Sequence, residues 1–377
     1  MKKLLAILLP VMLVLALAVG IFVLGETASA PTEPPAQTHM TLEKIQSILN
    51  GEFVTPQNVI VIIGDGMGPN DITLTEKYGE GVYDFGLVLN QIKNHGFCTT
   101  HSASDAITDS AASGTALSTG VKTNNGYIGK DPDGNDLKTM AEIAREYGKK
   151  IGIITDEEVT GATPTAFAVY NISRENRKEL ANAMIKFKPD VLMSKKYNLV
   201  AITDSECRGL LDHTYLIAQD FSSFADVLAT DPAGEKPFWG FLDGYSSEAS
   251  DNLTQCTEIA LERLQNENGF FLMIESSGTD KFGHNGYMRG KLGSVIALDR
   301  TVAAVLKFME ENPDTLLVIT SDHETGGVQL PVTGEEKLND LLTVTDHTAT
   351  PVRVLALARV RNILAARPLI IRILQIS

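Results

Sequence analysis

The segment Asn58-Val-Ile-Val-Ile-Ile63, which runs into Gly64-Asp-Gly-Met-Gly68, decides the fold. A run of β-branched residues predicts a buried strand, and the glycines predict a tight turn at its end. Three further apolar runs, at 150–155, 270–274 and 315–320, also predict buried strands. Helical patterns lie between the strands at 137–147, 178–187, 254–266 and 293–311. Strands that alternate with helices predict a three-layer α/β/α sandwich with a largely parallel central sheet.

Composition excludes several classes of protein. The chain has 377 residues, and 44% of them are hydrophobic, which is too many for a disordered acidic protein. A formal charge of −15 argues against a nucleic-acid-binding surface, because such a surface depends on Lys and Arg contacts with phosphates. Three cysteines, Cys98, Cys207 and Cys256, are too few for a disulfide framework.

The N-terminus has the features of a secretory signal. Lys2-Lys3 precede an uncharged run over residues 4–25, and Ala28-Ser-Ala30 follows as a cleavage site, so residues 1–30 are interpreted as a signal peptide. An uncleaved membrane tether through residues 4–25 is the alternative. Residues 31–50 are expected to form a Pro-rich tether and lead-in. The protein is therefore expected outside the cytoplasm, where a Cys207–Cys256 disulfide is conceivable but does not follow from the sequence.

Carboxylates and imidazoles follow three of the predicted strands. Asp65 follows the first, Glu275, Asp280 and His284 follow the third, and Asp322-His323 follow the fourth. In open α/β sheets the ligand crevice lies outside the carboxyl ends of the strands, so these side chains are expected to meet there as a metal site. Taken singly, an Asp after a strand is more often a turn residue, and a lone His is more often structural.

A nucleophile candidate lies in Ile107-Thr-Asp-Ser-Ala-Ala-Ser-Gly-Thr115. The small residues after Ser110 permit a helix whose N-terminal amides would attract an anion such as phosphate. The alternative is an ordinary helix cap made by Asp109 or Ser110.

Segment 107–115 resembles the active-site signature of the alkaline phosphatase family at every position. Five further blocks resemble the family's other motifs, in the same order: 64–68, 120–126, 162–166, 275–284 and 322–327. The resemblance predicts an alkaline phosphatase-like fold and assigns residues 51–357 to the catalytic domain. It also implies a homodimer.

The resemblance implies two Zn²⁺ ions and one Mg²⁺ ion. The first zinc ion would be held by Asp280, His284 and His347, and the second by Asp65, Asp322 and His323. Magnesium would be held by Asp65, Thr163 and Glu275.

The resemblance further implies that Ser110 is the catalytic nucleophile. Arg174 would clamp the phosphate through its guanidinium group, and Lys281 would stand behind the phosphate. The expected reaction is hydrolysis of a broad range of phosphate monoesters through a phosphoserine, with release of inorganic phosphate. The alternatives are a phosphodiesterase or sulfatase of the same superfamily, or a catalytically impaired phosphate-binding protein.

Position 161 departs from the family pattern. Gly161 stands where the family usually has an Asp or His, and that residue normally supports magnesium through water. The affinity of this chain for magnesium is therefore in question, although the three direct ligands are present.

The C-terminal residues differ in character from the rest of the chain. Residues 347–377 contain five arginines and no acid, whereas residues 31–346 contain 25 basic and 46 acidic side chains. The resemblance stops after Leu357, and residues 358–377 are interpreted as an aberrant tail. A one-base frame slip near codon 358 would explain it, because the neighbouring frame can encode Gly-Pro-Gly-Ala-Glu-Tyr-Phe-Ser-Gly, which resembles the family's C-terminal segment. A genuinely divergent tail is the alternative, and the bases of the gene distinguish the two.

Overall fold

The computed structural model describes residues 56–79, 86–92, 94–196, 203–242, 244, 252–331 and 336–358. The expected signal peptide or anchor, the tether at 31–50 and the tail from residue 359 onward lie outside the described residues. Within the ranges that are described, no helix has the length and apolarity needed to cross a membrane.

A nine-stranded sheet forms the centre of the molecule. Its strands, in chain order, are β1 (Asn58–Gly64), β2 (His95–Cys98), β3 (Lys150–Glu158), β4 (Val191–Lys195), β5 (Leu216–Ala218), β6 (Phe238–Leu242), β7 (Phe270–Ser276), β8 (Thr315–Thr320) and β11 (Val352–Ala358). They lie in the order β2-β11-β8-β1-β7-β3-β4-β6-β5. Two short strands, β9 (Glu324–Thr325) and β10 (His347–Thr348), pair separately.

Most of the sheet is parallel, as predicted. Only β11 is antiparallel to its neighbours β8 and β2. The four strands predicted from sequence lie side by side as β8-β1-β7-β3 and form the middle of the sheet. Strands in that position are buried on both faces, which is why they appear as continuous apolar runs.

Eleven helices are found among the described residues, and most of them cover the two faces of the sheet. They are α1 (Pro69–Tyr78), α2 (Val88–Gln91), α3 (Ser110–Thr119), α4 (Met140–Glu146), α5 (Ala162–Ala166), α6 (Arg177–Phe187), α7 (Ser205–Thr214), α8 (Phe224–Leu228), α9 (Asn252–Arg263), α10 (Gly278–His284) and α11 (Met288–Glu311). The helix predicted over 137–147 begins only at Met140, because Thr139 caps it by accepting a hydrogen bond from the Glu142 amide.

Each face of the sheet has its own hydrophobic core. Val59, Val61 and Ile63 of β1 face one core together with α3 to α7, whereas Ile60 and Ile62 face the other with α1, α2, α8, α9 and α11. This alternation is the period-two pattern of a strand covered on both sides. The predicted three-layer α/β/α sandwich is therefore confirmed.

All three cysteines are buried free thiols. Cys207 belongs to the core on one face of the sheet and Cys256 to the core on the other. The conceivable Cys207–Cys256 disulfide is therefore wrong for this fold, because the central sheet separates the two side chains.

A fully buried lysine on α11 ties the first strand-end loop to the β9 segment. The Lys291 ammonium lies 3.3 Å from Asp71 Oδ2 and 3.4 Å from the Gly66 carbonyl oxygen, and it also donates to the Thr325 carbonyl. Burial raises the pKa of Asp71 to about 6, even though the charge of Lys291 acts to lower it. Lys291 therefore holds the turn at Gly66 and the β9 segment together, at the edge of the sheet where the strands end.

Replacing Lys291 by Met is expected to lower the free energy of unfolding by about 3 kcal/mol, because a buried carboxylate loses its partner. Urea denaturation followed by circular dichroism measures the loss. Lys307→Met is the matched control, since Lys307 is exposed on the same helix and should change stability by less than about 0.5 kcal/mol. Equal losses in the two variants would contradict the role given to Lys291.

Candidate metal and nucleophile site

Three adjacent strands deliver polar side chains to one edge of the sheet. Asp65 follows β1, Glu275 lies near the end of β7, and Asp322 follows β8. The turn after β1 requires glycine at position 66, where φ is +73° and an added Cβ would lie 2.7 Å from the Asp280 Cα. The chain segments after β1 and β7 are thus in direct backbone contact, as expected for the carboxyl ends of parallel strands.

The first cluster of possible ligands consists of Asp280, His284 and His347. Asp280 Oδ1 lies 3.2 Å from His284 Nε2 and 3.3 Å from His347 Nε2, and the two Nε2 atoms are 3.1 Å apart. Zinc–nitrogen bonds of 2.0–2.1 Å in a tetrahedral site place neighbouring donor atoms roughly 3.3 Å apart. The three atoms therefore have the spacing that one zinc ion requires.

Backbone carbonyls orient two of these imidazoles. The Thr345 carbonyl oxygen lies 2.7 Å from His284 Nδ1, and the Thr108 carbonyl oxygen lies 2.9 Å from His347 Nδ1. Each Nδ1–H therefore donates to a carbonyl, and Nε2 is the ring nitrogen that faces the cluster, where it can bind a metal ion once it has lost its proton. The same arrangement is common around histidines that bind metals.

A second cluster consists of Asp65, Asp322 and His323. His323 Nε2 lies 3.1 Å from Asp322 Oδ2 and 3.6 Å from Asp65 Oδ1. The other Asp322 oxygen, Oδ1, accepts a hydrogen bond of 3.1 Å from the Gly66 amide. The backbone after β8 thus turns so that the adjacent side chains of Asp322 and His323 face one point. Two neighbouring residues can bind the same ion only with such a turn.

The third set of possible metal ligands expected from the sequence consists of Asp65, Thr163 and Glu275, which line one cleft. Asp65 Oδ1 is buried and accepts no hydrogen bond. The Thr163 hydroxyl lies near enough to Glu275 to affect its pKa, yet no hydrogen bond of normal geometry satisfies Thr163 Oγ1. Two buried oxygens without hydrogen-bond partners, one from a carboxylate and one from a hydroxyl, lie beside a second carboxylate, and together they form a hard oxygen set of the kind that magnesium prefers.

Burial is the largest influence on the pKa values of three carboxylates of the site. Burial, together with the charge of Asp322, raises the pKa of Asp65 well above its usual range. Burial and the charge of Glu157 raise the pKa of Glu275 to about 8. Burial acts in the same direction on Asp280, but hydrogen bonds from His284 and His347 hold its pKa well below the usual value. Divalent cations would compensate the charges of Asp65 and Glu275.

The candidate nucleophile lies beside the second cluster. Ser110 is the first residue of α3, and its Oγ lies 3.2 Å from His323 Nε2. Asp109 is the helix cap, because its side chain accepts a hydrogen bond of 2.9 Å from the Ala112 amide. The Ser110 hydroxyl is therefore not used for capping and is available for chemistry.

Two cations face Ser110 across the cleft. The Arg174 guanidinium donates to Asp109 Oδ2 at 3.1 Å, and this contact fixes it next to the N-terminus of α3. Lys281 lies on α10 with its ammonium 2.8 Å from Glu157 Oε2 and 3.6 Å from Asp280 Oδ2. Arg174 and Lys281 line the same cleft as Ser110, so an anion there would meet both.

Sequence reasoning missed several polar residues of the site. Thr325 Oγ1 donates to Asp280 Oδ1 at 2.6 Å, and Asp346 groups with His284 and His347. Asp156 accepts hydrogen bonds from the amide and the hydroxyl of Ser277 at the end of β7. The signal for Asp156 was present, because β3 continues to Glu158 and so ends, like its neighbours, in acidic residues.

The sequence matches the model of the family described as alkaline phosphatase over residues 56–200 and 243–362. It is 32% identical to alkaline phosphatase 4 of Bacillus subtilis over 74% of this chain and 64% of that protein. It is 28% identical to the alkaline phosphatase of Escherichia coli over 71% of this chain and 70% of that protein. The chain thus spans a little under two thirds of the length of the Bacillus relative.

Solved structures agree with this assignment. The alkaline phosphatase of the Antarctic bacterium TAB5 superposes with a TM-score of 0.71 at 27% identity, over 86% of this chain and 98% of that one. A variant of the TAB5 enzyme is described as having Mg bound in its M3 site, and it superposes with a TM-score of 0.69. The family match covers well over half of the sequence. The chain therefore belongs to the alkaline phosphatase family.

Proposed function

We propose that this protein is a metal-dependent phosphatase that hydrolyses phosphate monoesters through a phosphoserine on Ser110. The observation that carries the proposal is the position of Ser110 Oγ, 3.2 Å from His323 Nε2 at the edge of the carboxylate–imidazole clusters. A serine hydroxyl at a helix N-terminus, with Arg174 beside it, can reach the phosphorus of a phosphate that these groups bind.

The clusters provide for three divalent ions. Asp280, His284 and His347 would hold one Zn²⁺, and Asp65, Asp322 and His323 a second, in accord with the spacing of their donor atoms. Thr163, Glu275 and Asp65 would hold Mg²⁺, which suits the two buried oxygens without hydrogen bonds. When bound, such ions lower the pKa of a hydroxyl and neutralise the charge that develops on the leaving oxygen.

The residues of the chain have separate tasks in this scheme. Arg174 and the first amides of α3 bind and orient the phosphoryl oxygens. Ser110 Oγ gives up its proton and forms a bond to phosphorus as the bond to the leaving alcohol oxygen breaks, and the alcohol takes up one proton in exchange. Water then cleaves the phosphoserine, which regenerates the hydroxyl and releases inorganic phosphate.

Ser110, Arg174 and Lys281 line the same cleft and are the groups that would contact a phosphate, so recognition would rest on the phosphoryl group and not on the alcohol. We therefore propose a broad range of small-molecule phosphate monoesters as substrates. A phosphodiesterase or a sulfatase of the same superfamily is the main alternative, and a phosphate-binding protein that has lost turnover is the other. Location outside the cytoplasm and assembly as a homodimer are further parts of the proposal.

Ser110→Ala is expected to lower kcat for p-nitrophenyl phosphate by at least about a thousandfold, because the covalent route is lost. Release of p-nitrophenol measures the rate. Ser118→Ala is the matched control on the same helix, since its hydroxyl binds only carbonyl oxygens of Thr115 and Ala166 and should leave the rate nearly unchanged. Full activity in Ser110→Ala would contradict the mechanism.

Removal of divalent ions with EDTA is expected to abolish turnover, and addition of Zn²⁺ with Mg²⁺ to restore it, because Asp65 and Glu275 are then left as uncompensated buried carboxylates. The same assay with bis(p-nitrophenyl) phosphate and p-nitrophenyl sulfate tests the alternatives. Faster turnover of either substrate than of the monoester would reject the proposed specificity. Unchanged turnover in protein shown to be metal-free would reject metal dependence.

A further inference from the structure

The space beside Gly161 is already occupied by another side chain. A Cβ added at Gly161 would lie 2.8 Å from Glu157 Cγ and 3.0 Å from the Glu158 carbonyl oxygen. A larger residue at 161 would therefore collide with Glu157 as it is now placed. Glycine at this position is what allows Glu157 to enter the cleft.

Glu157 is held firmly in this place. Its Oε2 forms an ion pair of 2.8 Å with the Lys281 ammonium, and its Oε1 accepts a hydrogen bond of 3.0 Å from the Glu158 amide. Its side chain is only 17% exposed. The carboxylate is therefore largely withdrawn from solvent. Each of its oxygens makes one contact and keeps a lone pair that can accept a further hydrogen bond.

Glu157 also lies among the groups that surround the proposed magnesium site. It lines the cleft together with Asp65, Thr163 and Glu275. Its partner Lys281 connects it to the zinc cluster through Asp280 Oδ2 at 3.6 Å. Glu157 therefore lies close both to the proposed magnesium ligands and to Lys281, the cation expected to face the phosphate.

We propose that Glu157 is a positioning residue that takes over the task of the acid or imidazole missing at position 161. It holds Lys281 over the phosphate position and places a carboxylate next to the magnesium ligands, where it can accept hydrogen bonds from water on the ion. The absence of a side chain at Gly161 then leaves room for Glu157 and does not impair the site. This inference rests on the proposed function, because it presupposes a magnesium ion bound by Asp65, Thr163 and Glu275.

The neighbouring acid provides a control for a simple charge effect. Glu158 pairs at 2.9 Å with Arg177, whose side chain is 52% exposed. Glu158 lines the same cleft, but it pairs with Arg177 and not with Lys281. Removal of its charge changes the acidity of the segment by the same amount and leaves the Glu157–Lys281 ion pair in place. A role specific to Glu157 predicts that the two acids respond differently.

The test is the dissociation constant of Mg²⁺ for the zinc-loaded protein, measured by titration calorimetry. Glu157→Gln, which keeps the size of the side chain, is expected to weaken Mg²⁺ binding about 10-fold, the usual effect of removing a residue behind a metal ligand. Glu158→Gln should leave the constant within about twofold. Equal constants for the parent and Glu157→Gln would overturn the proposal, and so would a parent that binds no Mg²⁺.

An exchange of positions separates positioning from general structural support. Glu157→Ala should weaken Mg²⁺ binding, and Glu157→Ala combined with Gly161→Asp should restore it. The closest contact at 161, with Glu157 Cγ at 2.8 Å, is then removed and an acid is supplied, and the 3.0 Å contact with the Glu158 carbonyl oxygen needs only a shift of a few tenths of an ångström. Gly161 is the N-cap of α5, a position that favours Asp. Failure of the double variant to recover affinity, with melting temperature unchanged, would overturn the proposal.

The readout is independent of turnover, so the two claims fail separately. A parent protein that hydrolyses p-nitrophenyl phosphate with zinc while Glu157→Gln binds Mg²⁺ normally would reject only the role of Glu157. A parent that binds Mg²⁺ but hydrolyses no monoester would reject the proposed function.

Discussion

The rest of the structure depends on one constraint, which is the convergence of buried carboxylates at the edge where β1, β7 and β8 end. Asp65, Glu275, Asp280 and Asp322 are each almost inaccessible to solvent. Like charges withdrawn from water repel one another and are stable only beside positive charge or as neutral acids. The raised pKa values of Asp65 and Glu275 show that the side chains around these two do not supply enough of it.

Positive and partially positive groups surround this cluster at different depths. Lys291 lies beneath it and joins the Gly66 turn to Thr325, whereas Lys281 and Arg174 face the cleft. Ser110 lies in the first turn of α3, where the N-terminus of the helix carries a partial positive charge. The lysine beneath the site stabilises the fold, and the cations in the cleft are accessible to a phosphate. The charge that stabilises the fold and the charge that lines the cleft are thus separated by burial.

Much of the fold and the site could be predicted from the sequence, because the decisive residues are local. The four central strands are continuous apolar runs, and Asp65, Glu275 and Asp322 lie at or just after their ends. Thr163 and His347 were expected only from the family resemblance. The other five strands, β2, β4, β5, β6 and β11, were missed. Two of them, β2 and β5, have only four and three residues, which is too short to show a clear period. Lys291 and Glu157 could not be predicted, because their importance comes from contacts with residues about 34 to 225 positions away, visible only in three dimensions.

The central claim is that Ser110 becomes covalently phosphorylated during turnover. Acid quenching of the zinc- and magnesium-loaded enzyme during hydrolysis of a phosphate monoester, followed by peptide mass spectrometry, tests it most directly. Phosphate is expected on Ser110 in the peptide that contains residues 107–115. Sustained turnover with Ser110 unmodified at every quench time, or with phosphate on another residue, would contradict it.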